Sequence, residues 1–158
     1  MPCIDFTDVS KEDITQILKI EEESFSRPWS YTSFLNELLC EQAFICAARH
    51  KNINGLTPII AYTCYRIVEN EMHILKIAVT NNWRRRGVGS LLLNKCLIEV
   101  SKKDVTAAFL EVRCANISAI AFYNKHGFTE IGRRPHYYIN SDGNEDALIM
   151  MTVLKEET

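Results

Sequence analysis

No stretch of this chain is apolar for long enough to cross a membrane, and no two cysteines have the spacing of a metal or redox motif. A membrane-spanning helix needs about 20 consecutive apolar residues, and the chain has no run of that length. Its N-terminus lacks the basic start and apolar core of a signal peptide. Six cysteines occur without a C-x-x-C pair, which favours reduced core residues. We therefore expect a cytoplasmic protein that makes no membrane contact.

The chain also has little net charge and few residues that favour disorder or metal binding. Eighteen basic residues stand against twenty acidic ones, giving a net charge of -2, so direct nucleic-acid binding is not expected. Six glycines and four prolines are too few for a collagen-like or low-complexity chain. The four histidines lack metal-ligand spacing, and no G-x-S-x-G elbow surrounds Ser90. We expect no metal.

Hydrophobic periodicity predicts one α/β (α+β) domain over residues 1–158. Hydrophobic residues make up 47% of the chain, which is enough for a core without disulfides. Strands are predicted at residues 3–7, 43–49, 59–68, 72–79, 106–112, 128–133 and 147–154, and helices at 10–24, 30–39, 87–100 and 116–126. This order indicates a mixed, mostly antiparallel sheet of about seven strands flanked by about four helices, with a polar loop joining the last two strands. The helix at 87–100 predicts a crossover and parallel pairing of the strands on either side of it. Ser30 is the predicted N-cap of the second helix.

The most informative segment, residues 77–90, combines a strand end, a basic glycine loop and a helix start. Gly87 and Gly89 would let the backbone approach an anion closely, and the first turn of the following helix would offer N–H groups. Three consecutive arginines from Arg84 to Arg86 would add charge-assisted contacts. The pattern favours a pyrophosphate-binding loop and a solvated basic turn about equally.

Three stretches of sequence together resemble the GNAT superfamily of acyl-CoA-dependent N-acyltransferases. They are the Ile77-Ala78-Val79 strand end, the R-x-x-G-x-G motif that starts at Arg84, and Asn116-x-x-Ala119-x-x-Phe122-Tyr123-x-x-x-Gly127-Phe128. Further stretches resemble the RimI-type ribosomal-protein-alanine N-acetyltransferases, namely Arg27-Pro28-Trp29-Ser30, Leu110-Glu111-Val112-Arg113 and Tyr137-Tyr138. The resemblance extends over nearly the whole chain, with departures at Lys76 and Ser90.

This resemblance implies a single-domain GNAT fold and acetyl-CoA as the acetyl donor, without a metal. It implies transfer to the N-terminal α-amino group of a protein, in particular the N-terminal alanine of a small-subunit ribosomal protein. Other protein N-termini, a small-molecule amine and a coenzyme A-binding module without turnover remain open alternatives. The cofactor residues that it implies are Ile77, Ala78, Val79, Arg84, Arg85, Arg86, Gly87, Val88, Gly89, Ser90, Asn116 and Tyr123.

The resemblance assigns Glu111 as the general base and Tyr123 as the proton donor to the coenzyme A thiolate. Burial in an apolar strand would make Glu111 a stronger base, whereas an ion pair with Arg113, which shares its strand face, would weaken it. Tyr123 has the alternative interpretation of a core aromatic residue, and Asn116 that of a helix N-cap.

Two polar and aromatic segments are predicted to bind the acceptor, through Trp29 in the first and through Tyr137, Tyr138 and Asp142 in the second. Aromatic and acidic side chains suit a basic peptide N-terminus. An exposed hairpin with an ordinary Asp-Gly turn at Asp142 is the alternative. The expected partner is a protein N-terminus, and the expected state is a monomer or a weak dimer.

Overall fold

The computed structural model describes residues 3–140 and 143–155. The strands in these residues are β1 (Ile4–Asp8), β2 (Ala43–His50), β3 (Ile59–Val68), β4 (Glu71–Val79), β5 (Ala107–Arg113), β6 (Thr129–Asn140) and β7 (Gly143–Val153). The helices are α1 (Ile14–Ser24), α2 (Tyr31–Leu39), α3 (Val88–Ser101) and α4 (Ile117–Lys125), with short 3-10 turns at Lys11–Asp13 and Asn81–Trp83. The predicted order of strands and helices is confirmed.

The strands form one sheet in the order β1-β2-β3-β4-β5-β7-β6. Most neighbours pair antiparallel, whereas β4 and β5 are parallel from Glu71 opposite Ala107 to Ile74 opposite Leu110. Parallel pairing follows from the α3 crossover that joins β4 to β5. Both strands continue past this register, β4 to Val79 and β5 to Arg113. The predicted mixed, mostly antiparallel sheet is confirmed.

The final hairpin differs from the sequence prediction. Instead of a polar loop between two short strands, β6 and β7 extend along most of the segment, and Tyr138 lies opposite Glu145. The register shifts between Arg134 and Tyr138, where His136 has a φ of 53°. An irregularity of this kind bends a strand and re-aims its side chains. Periodicity did not reveal the extensions of the two strands at residues 134–139 and 143–146, because the side chains there are polar or exposed on both faces.

The described residues cluster into two compact units. The first contains the residues up to Arg66 together with Leu75–Cys96, and the second contains Ile67–Ile74 together with the residues from Leu97 onward. One domain over residues 1–158 stays a prediction.

In the first unit, α1 and α2 cover β2 and β3 with apolar side chains. Ser30 accepts a hydrogen bond from the Ser33 N–H at 3.2 Å, which confirms the predicted cap of α2. The core residues of this unit are Val9, Ile14, Ile17, Ile20, Phe34, Ile45, Ala47, Ile59, Tyr62, Cys64 and Ala78. Phe34 is fully buried and meets the Tyr62 ring edge-on at 5.7 Å, so α2 is fastened to the sheet by aromatic contact.

In the second unit, α4 begins and ends at the residues that the sequence indicated. The Asn116 side chain accepts from the Ala119 N–H at 3.2 Å, which caps the helix. Gly127 follows the helix with a φ of 86°, a conformation that other residues rarely adopt. Tyr123 and Phe128 are buried, and their rings lie 5.6 Å apart.

Within the described part of the chain, no helix is both long and apolar enough to span a membrane. All six cysteines are thiols. Cys46, Cys64 and Cys96 are buried as expected, whereas Cys40 and Cys114 are half-buried and Cys3 is exposed. The interpretation of all six as core residues is therefore wrong for these last three.

Replacing the buried ring of α2 tests the packing of the first unit. We expect Phe34→Ala to lower the free energy of unfolding by about 3–5 kcal/mol, because it removes apolar contacts and leaves a cavity. Leu39→Ala on the same helix is the matched control, since Leu39 is 75% exposed, and we expect a change within about 0.5 kcal/mol. Urea unfolding followed by circular dichroism measures both, and equal losses would contradict the packing.

Candidate functional site

The loop that follows β4 in the first unit is held by the last turn of α1. The Glu23 carboxylate accepts from the Thr80 hydroxyl and from the Asn81 N–H, each at 3.0 Å. Thr80 N–H in turn donates to the Ile60 carbonyl at 2.9 Å. These bonds fix the start of the basic loop relative to the sheet of this unit.

The backbone of the basic loop is arranged so that it presents an open, cationic surface. Arg85 and Gly87 both have positive φ, at 60° and 80°. A Cβ added at Gly87 would meet no atom within 4 Å, so the backbone there is open to a ligand. Val88 is buried and begins α3, whose first turn carries N–H groups suited to phosphate oxygens. Residues 85–90 therefore fit the pyrophosphate of an acyl-CoA.

The three arginines of the loop do not have equivalent roles. The Arg84 guanidinium donates to the Val79 carbonyl at 2.9 Å and to the Ser24 hydroxyl at 3.1 Å. The Arg86 guanidinium lies 5.2 Å from the centre of the Trp83 ring. Arg85 is exposed. Arg84 thus braces the loop against the end of β4, a structural contribution that sequence spacing did not indicate.

Trp29, the aromatic residue predicted to bind the acceptor, also lies in the first unit and has buried polar neighbours. Its backbone N–H donates to the Glu21 carboxylate at 2.9 Å, and the centre of its ring lies 5.3 Å from that of Phe34. The Lys76 ammonium donates to the same carboxylate at 2.7 Å. No sequence signal singled out Glu21, because it lies in a run of glutamates that looks like a solvated helix face.

In the second unit, Glu111 lies on the half-buried face of β5 beside cationic and phenolic side chains. Its side chain is 26% exposed, and its carboxylate pairs with the Arg134 guanidinium at 2.7 Å. The Tyr137 hydroxyl also donates to this carboxylate. Arg134 escaped the sequence analysis because its segment was interpreted as a loop rather than as strand β6.

Arg113, which the sequence offered as an ion-pair partner of Glu111, pairs with Glu145 at 3.3 Å. Its guanidinium also lies 4.2 Å from the centre of the Tyr138 ring. The other oxygen of Glu145 accepts from the Ala115 N–H at 2.8 Å, next to the start of α4. Burial and then the charge of Glu111 raise the pKa of Tyr138 to about 12. Tyr138 therefore stays a neutral phenol at physiological pH.

Tyr123 is buried between Phe122 and Phe128, whose ring centres lie 5.3 and 5.6 Å from its own. Burial raises its pKa above the ordinary value, and the nearby Tyr138 raises it further. The phenol is thus a proton donor at any physiological pH. Transfer of its proton to a thiolate costs more than the roughly 2 kcal/mol expected for unperturbed groups.

The structure brings together several of the predicted residues in the second unit: Glu111, Tyr123, Tyr137 and Tyr138 are linked by hydrogen bonding or electrostatic interaction. Asp142 lies outside the described residues. Among the described residues, no group of three or more histidine, cysteine or acidic side chains could hold a metal ion.

Comparison with known proteins places this geometry in context. Residues 13–128 match the model of the Acetyltransferase (GNAT) family. The ribosomal protein bS18 alanine N-acetyltransferase of Escherichia coli is 34% identical over 142 residues, which cover 87% of this chain and 89% of that protein. A Bacillus subtilis protein described as a putative enzyme of the same kind is 34% identical, covering 92% of both chains. The crystal structure of the Escherichia coli ribosomal-protein-S18-alanine N-acetyltransferase has a TM-score of 0.86 and 29% identity, covering 99% of this chain and 97% of that chain.

The raised pKa of Tyr138 predicts a loss of stability in alkali. The folded state holds this proton up to about pH 12, whereas an ordinary tyrosine loses it near pH 10.0. The stabilisation is therefore complete below pH 10.0 and is lost as the pH rises towards 12. When the pH rises from about 8 to about 11, the free energy of unfolding falls in both proteins. We expect it to fall by about 1 kcal/mol less in Tyr138→Phe than in the wild type.

Urea unfolding at the two pH values measures this difference. Tyr137→Phe is the control, because Tyr137 is exposed and solvent screens its interactions, so we expect a smaller effect. Equal pH dependence in the wild type and Tyr138→Phe would contradict the assignment.

Proposed function

We propose that this chain, which belongs to the acetyltransferase (GNAT) family, acetylates the N-terminal α-amino group of a protein. Enzymes of this family use acetyl-CoA as the acetyl donor. The finer proposal is that the acceptor is the N-terminal alanine of a small-subunit ribosomal protein. Its support is the similarity to alanine N-acetyltransferases over about nine tenths of the chain.

The observation that carries the proposed chemistry is the Glu111 carboxylate, which is half-buried and pairs with the Arg134 guanidinium at 2.7 Å. An α-amino group has a pKa near 8 and is largely protonated at neutral pH, so it must lose a proton before it can attack a thioester. We assign Glu111 to bind this ammonium and to accept its proton, directly or through water. Arg134, whose side chain is 57% exposed, can leave the carboxylate towards solvent when the acceptor arrives.

Acetyl-CoA, when bound, supplies an activated acetyl group on a sulfur leaving group. We assign backbone N–H groups at the Ile77 to Val79 end of β4 to polarise the acetyl carbonyl. Tyr123 returns a proton to the departing sulfur, for which its neutral phenol is suited. Between the ammonium and the amide, the nitrogen loses two protons. Glu111 accepts the first before attack and passes it to water. The second leaves as the C–N bond forms and the C–S bond breaks, and it replaces the proton that Tyr123 gives to the sulfur, so coenzyme A leaves as a thiol and one proton is released overall.

The remaining assignments follow from the same proposal. The loop at residues 85–90 and the Asn116 amide would hold the acyl-CoA, with Arg84 bracing the loop. Trp29, Tyr137, Tyr138 and Asp142 would contact the acceptor. We propose a cytoplasmic enzyme that needs no metal, acts on a protein chain rather than on nucleic acid or membrane, and is a monomer or a weak dimer.

Mass spectrometry on two basic peptides tests the acceptor. One peptide carries a free N-terminal alanine, and the other is blocked at its N-terminus and carries an internal lysine. We expect acetyl-CoA and the purified protein to modify only the first, because only it offers an α-amino group at the end of a chain. Modification of the lysine alone would indicate another amine acceptor. Acetyl-CoA binding without any product would favour a binding module.

Two conservative substitutions test the catalytic assignments. We expect Glu111→Gln to lower kcat about 100-fold or more, since it removes the base and keeps the shape. Tyr123→Phe should lower kcat at least about tenfold, because the proton donor is lost. Steady-state kinetics on the alanine peptide and calorimetric titration with acetyl-CoA measure turnover and donor binding separately.

The matched controls for these variants are Glu41→Gln and Tyr31→Phe, which make the same chemical changes at exposed positions. We expect both controls to retain wild-type kcat. Normal turnover by Glu111→Gln and Tyr123→Phe, with acetyl-CoA binding retained, would contradict the proposed roles.

A further inference from the structure

A buried carboxylate in the first unit binds three donors from three different parts of the chain. Glu21, in α1, has no exposed surface. One of its oxygens accepts from the Lys76 ammonium at 2.7 Å and from the backbone N–H of Trp29 at 2.9 Å. The other oxygen accepts from the Tyr62 hydroxyl. Burial, together with the charge of Glu21, raises the pKa of Tyr62, so this phenol remains a donor. The carboxylate thus joins α1, β3, β4 and the segment that precedes α2.

The Lys76 side chain, which is 12% exposed, adds a contact that Glu21 alone cannot make. Its ammonium lies 3.9 Å from the centre of the Phe25 ring and 5.1 Å from the centre of the Trp29 ring. Both distances are within the range of a cation–π interaction, which strengthens when the cation is removed from water. One cation therefore binds a carboxylate on one side and two aromatic rings on the other.

These two rings are the ends of residues 25–29, which we call the aromatic segment. It leaves α1 at Phe25, whose backbone is extended, and it reaches the cap of α2 just after Trp29. Pro28 and the exposed Ser26 and Arg27 lie between the rings, so this part of the segment has no apolar core of its own. The position of the segment depends on its two ends, and Lys76 contacts both.

We propose that Lys76 is a positioning residue that holds the aromatic segment in the conformation that receives the acceptor. The proposal rests on the proposed function in one respect, the assignment of Trp29 to the acceptor. Lys76 directly precedes Ile77, and successive side chains of a strand point to opposite faces. In the proposed function, β4 holds the acetyl group at Ile77, Ala78 and Val79. The preceding residue of the same strand, Lys76, fixes the aromatic segment.

The positive charge, rather than the length of the side chain, makes this contact specific. A methionine has a similar unbranched shape but offers neither a donor to Glu21 nor a cation to the rings. Arginine keeps the charge and can stack on aromatic faces. Lys76→Met and Lys76→Arg therefore separate the charge from the shape.

The experiment measures the kinetics of the 158-residue chain and the fluorescence of Trp29. Steady-state kinetics on the N-terminal alanine peptide give KM for the peptide, KM for acetyl-CoA and kcat. The chain has two tryptophans, so a Trp83→Phe background leaves Trp29 as the only tryptophan, and excitation at the red edge of the absorption band avoids emission from the tyrosines. The wavelength of its emission reports whether the aromatic segment is still packed.

We expect Lys76→Met to raise the peptide KM about tenfold, because a displaced binding segment weakens acceptor positioning. The value of kcat and the KM for acetyl-CoA should stay within about twofold of wild type, since no reacting group changes. Trp29 emission should shift to the red. Lys76→Arg should restore the peptide KM and the emission.

Removal of Lys76 alone leaves a buried carboxylate with fewer donors, and this variant can fail to fold. The double variant Lys76→Met/Glu21→Gln removes both charges, leaves an amide that can still bond Tyr62 and Trp29, and still lacks the cation. We expect it to fold and to show the same raised peptide KM and red-shifted emission. Circular dichroism confirms folding for each variant.

Three results would overturn the proposal. They are an unchanged peptide KM in a folded Lys76→Met or double variant, an unchanged Trp29 emission, and an Arg variant as impaired as the Met variant. If the wild type binds acetyl-CoA but acetylates neither peptide, the proposed function fails and the acceptor role of the segment fails with it. The emission of Trp29 still decides whether Lys76 anchors the segment.

Discussion

The first unit depends on the burial of one carboxylate. Removing the charge of Glu21 from water costs several kcal/mol unless donors replace the lost hydration. Lys76, Tyr62 and the Trp29 N–H supply those donors, and charge-assisted bonds of this kind are about twice as strong as neutral ones. Each donor comes from a different strand or segment, so the carboxylate is satisfied only when these are correctly arranged. The ion pair therefore specifies one arrangement of chain segments.

The last turn of α1 also fixes the loop after β4. The Glu23 carboxylate accepts hydrogen bonds from the Thr80 hydroxyl and the Asn81 N–H, and the Ser24 hydroxyl accepts one from Arg84. One helical turn thus organises both the aromatic segment and the start of the basic loop. In the proposed function, these two segments hold the acceptor and the acyl-CoA. A side chain from α1 can therefore influence both substrates without touching either.

The second unit uses a long hairpin to surround Glu111 with polar side chains. Because β6 and β7 extend beyond their apolar portions, Arg134 and Tyr137 reach the carboxylate, and Tyr138 stacks against Arg113. The resulting site holds a cation before any substrate is present. In the proposed function, the carboxylate receives an ammonium group in place of Arg134, whose side chain is 57% exposed.

The amino-acid sequence by itself determined the order of the strands and helices, the parallel crossover at α3, the caps at Ser30 and Asn116, and the family. Local physics is sufficient for the strands, helices and caps, since periodicity, cap chemistry and glycine conformation act over a few residues, whereas the family was indicated by the resemblance of its motifs. Only the tertiary structure decided which charges pair: Glu111 with Arg134, Arg113 with Glu145, and Glu21 with Lys76. These partners lie 23, 32 and 55 residues apart in the chain. A glutamate in an acidic run and an arginine in a polar hairpin look solvated until the fold brings a partner to each, because pairing depends on distance in space and not on spacing in sequence.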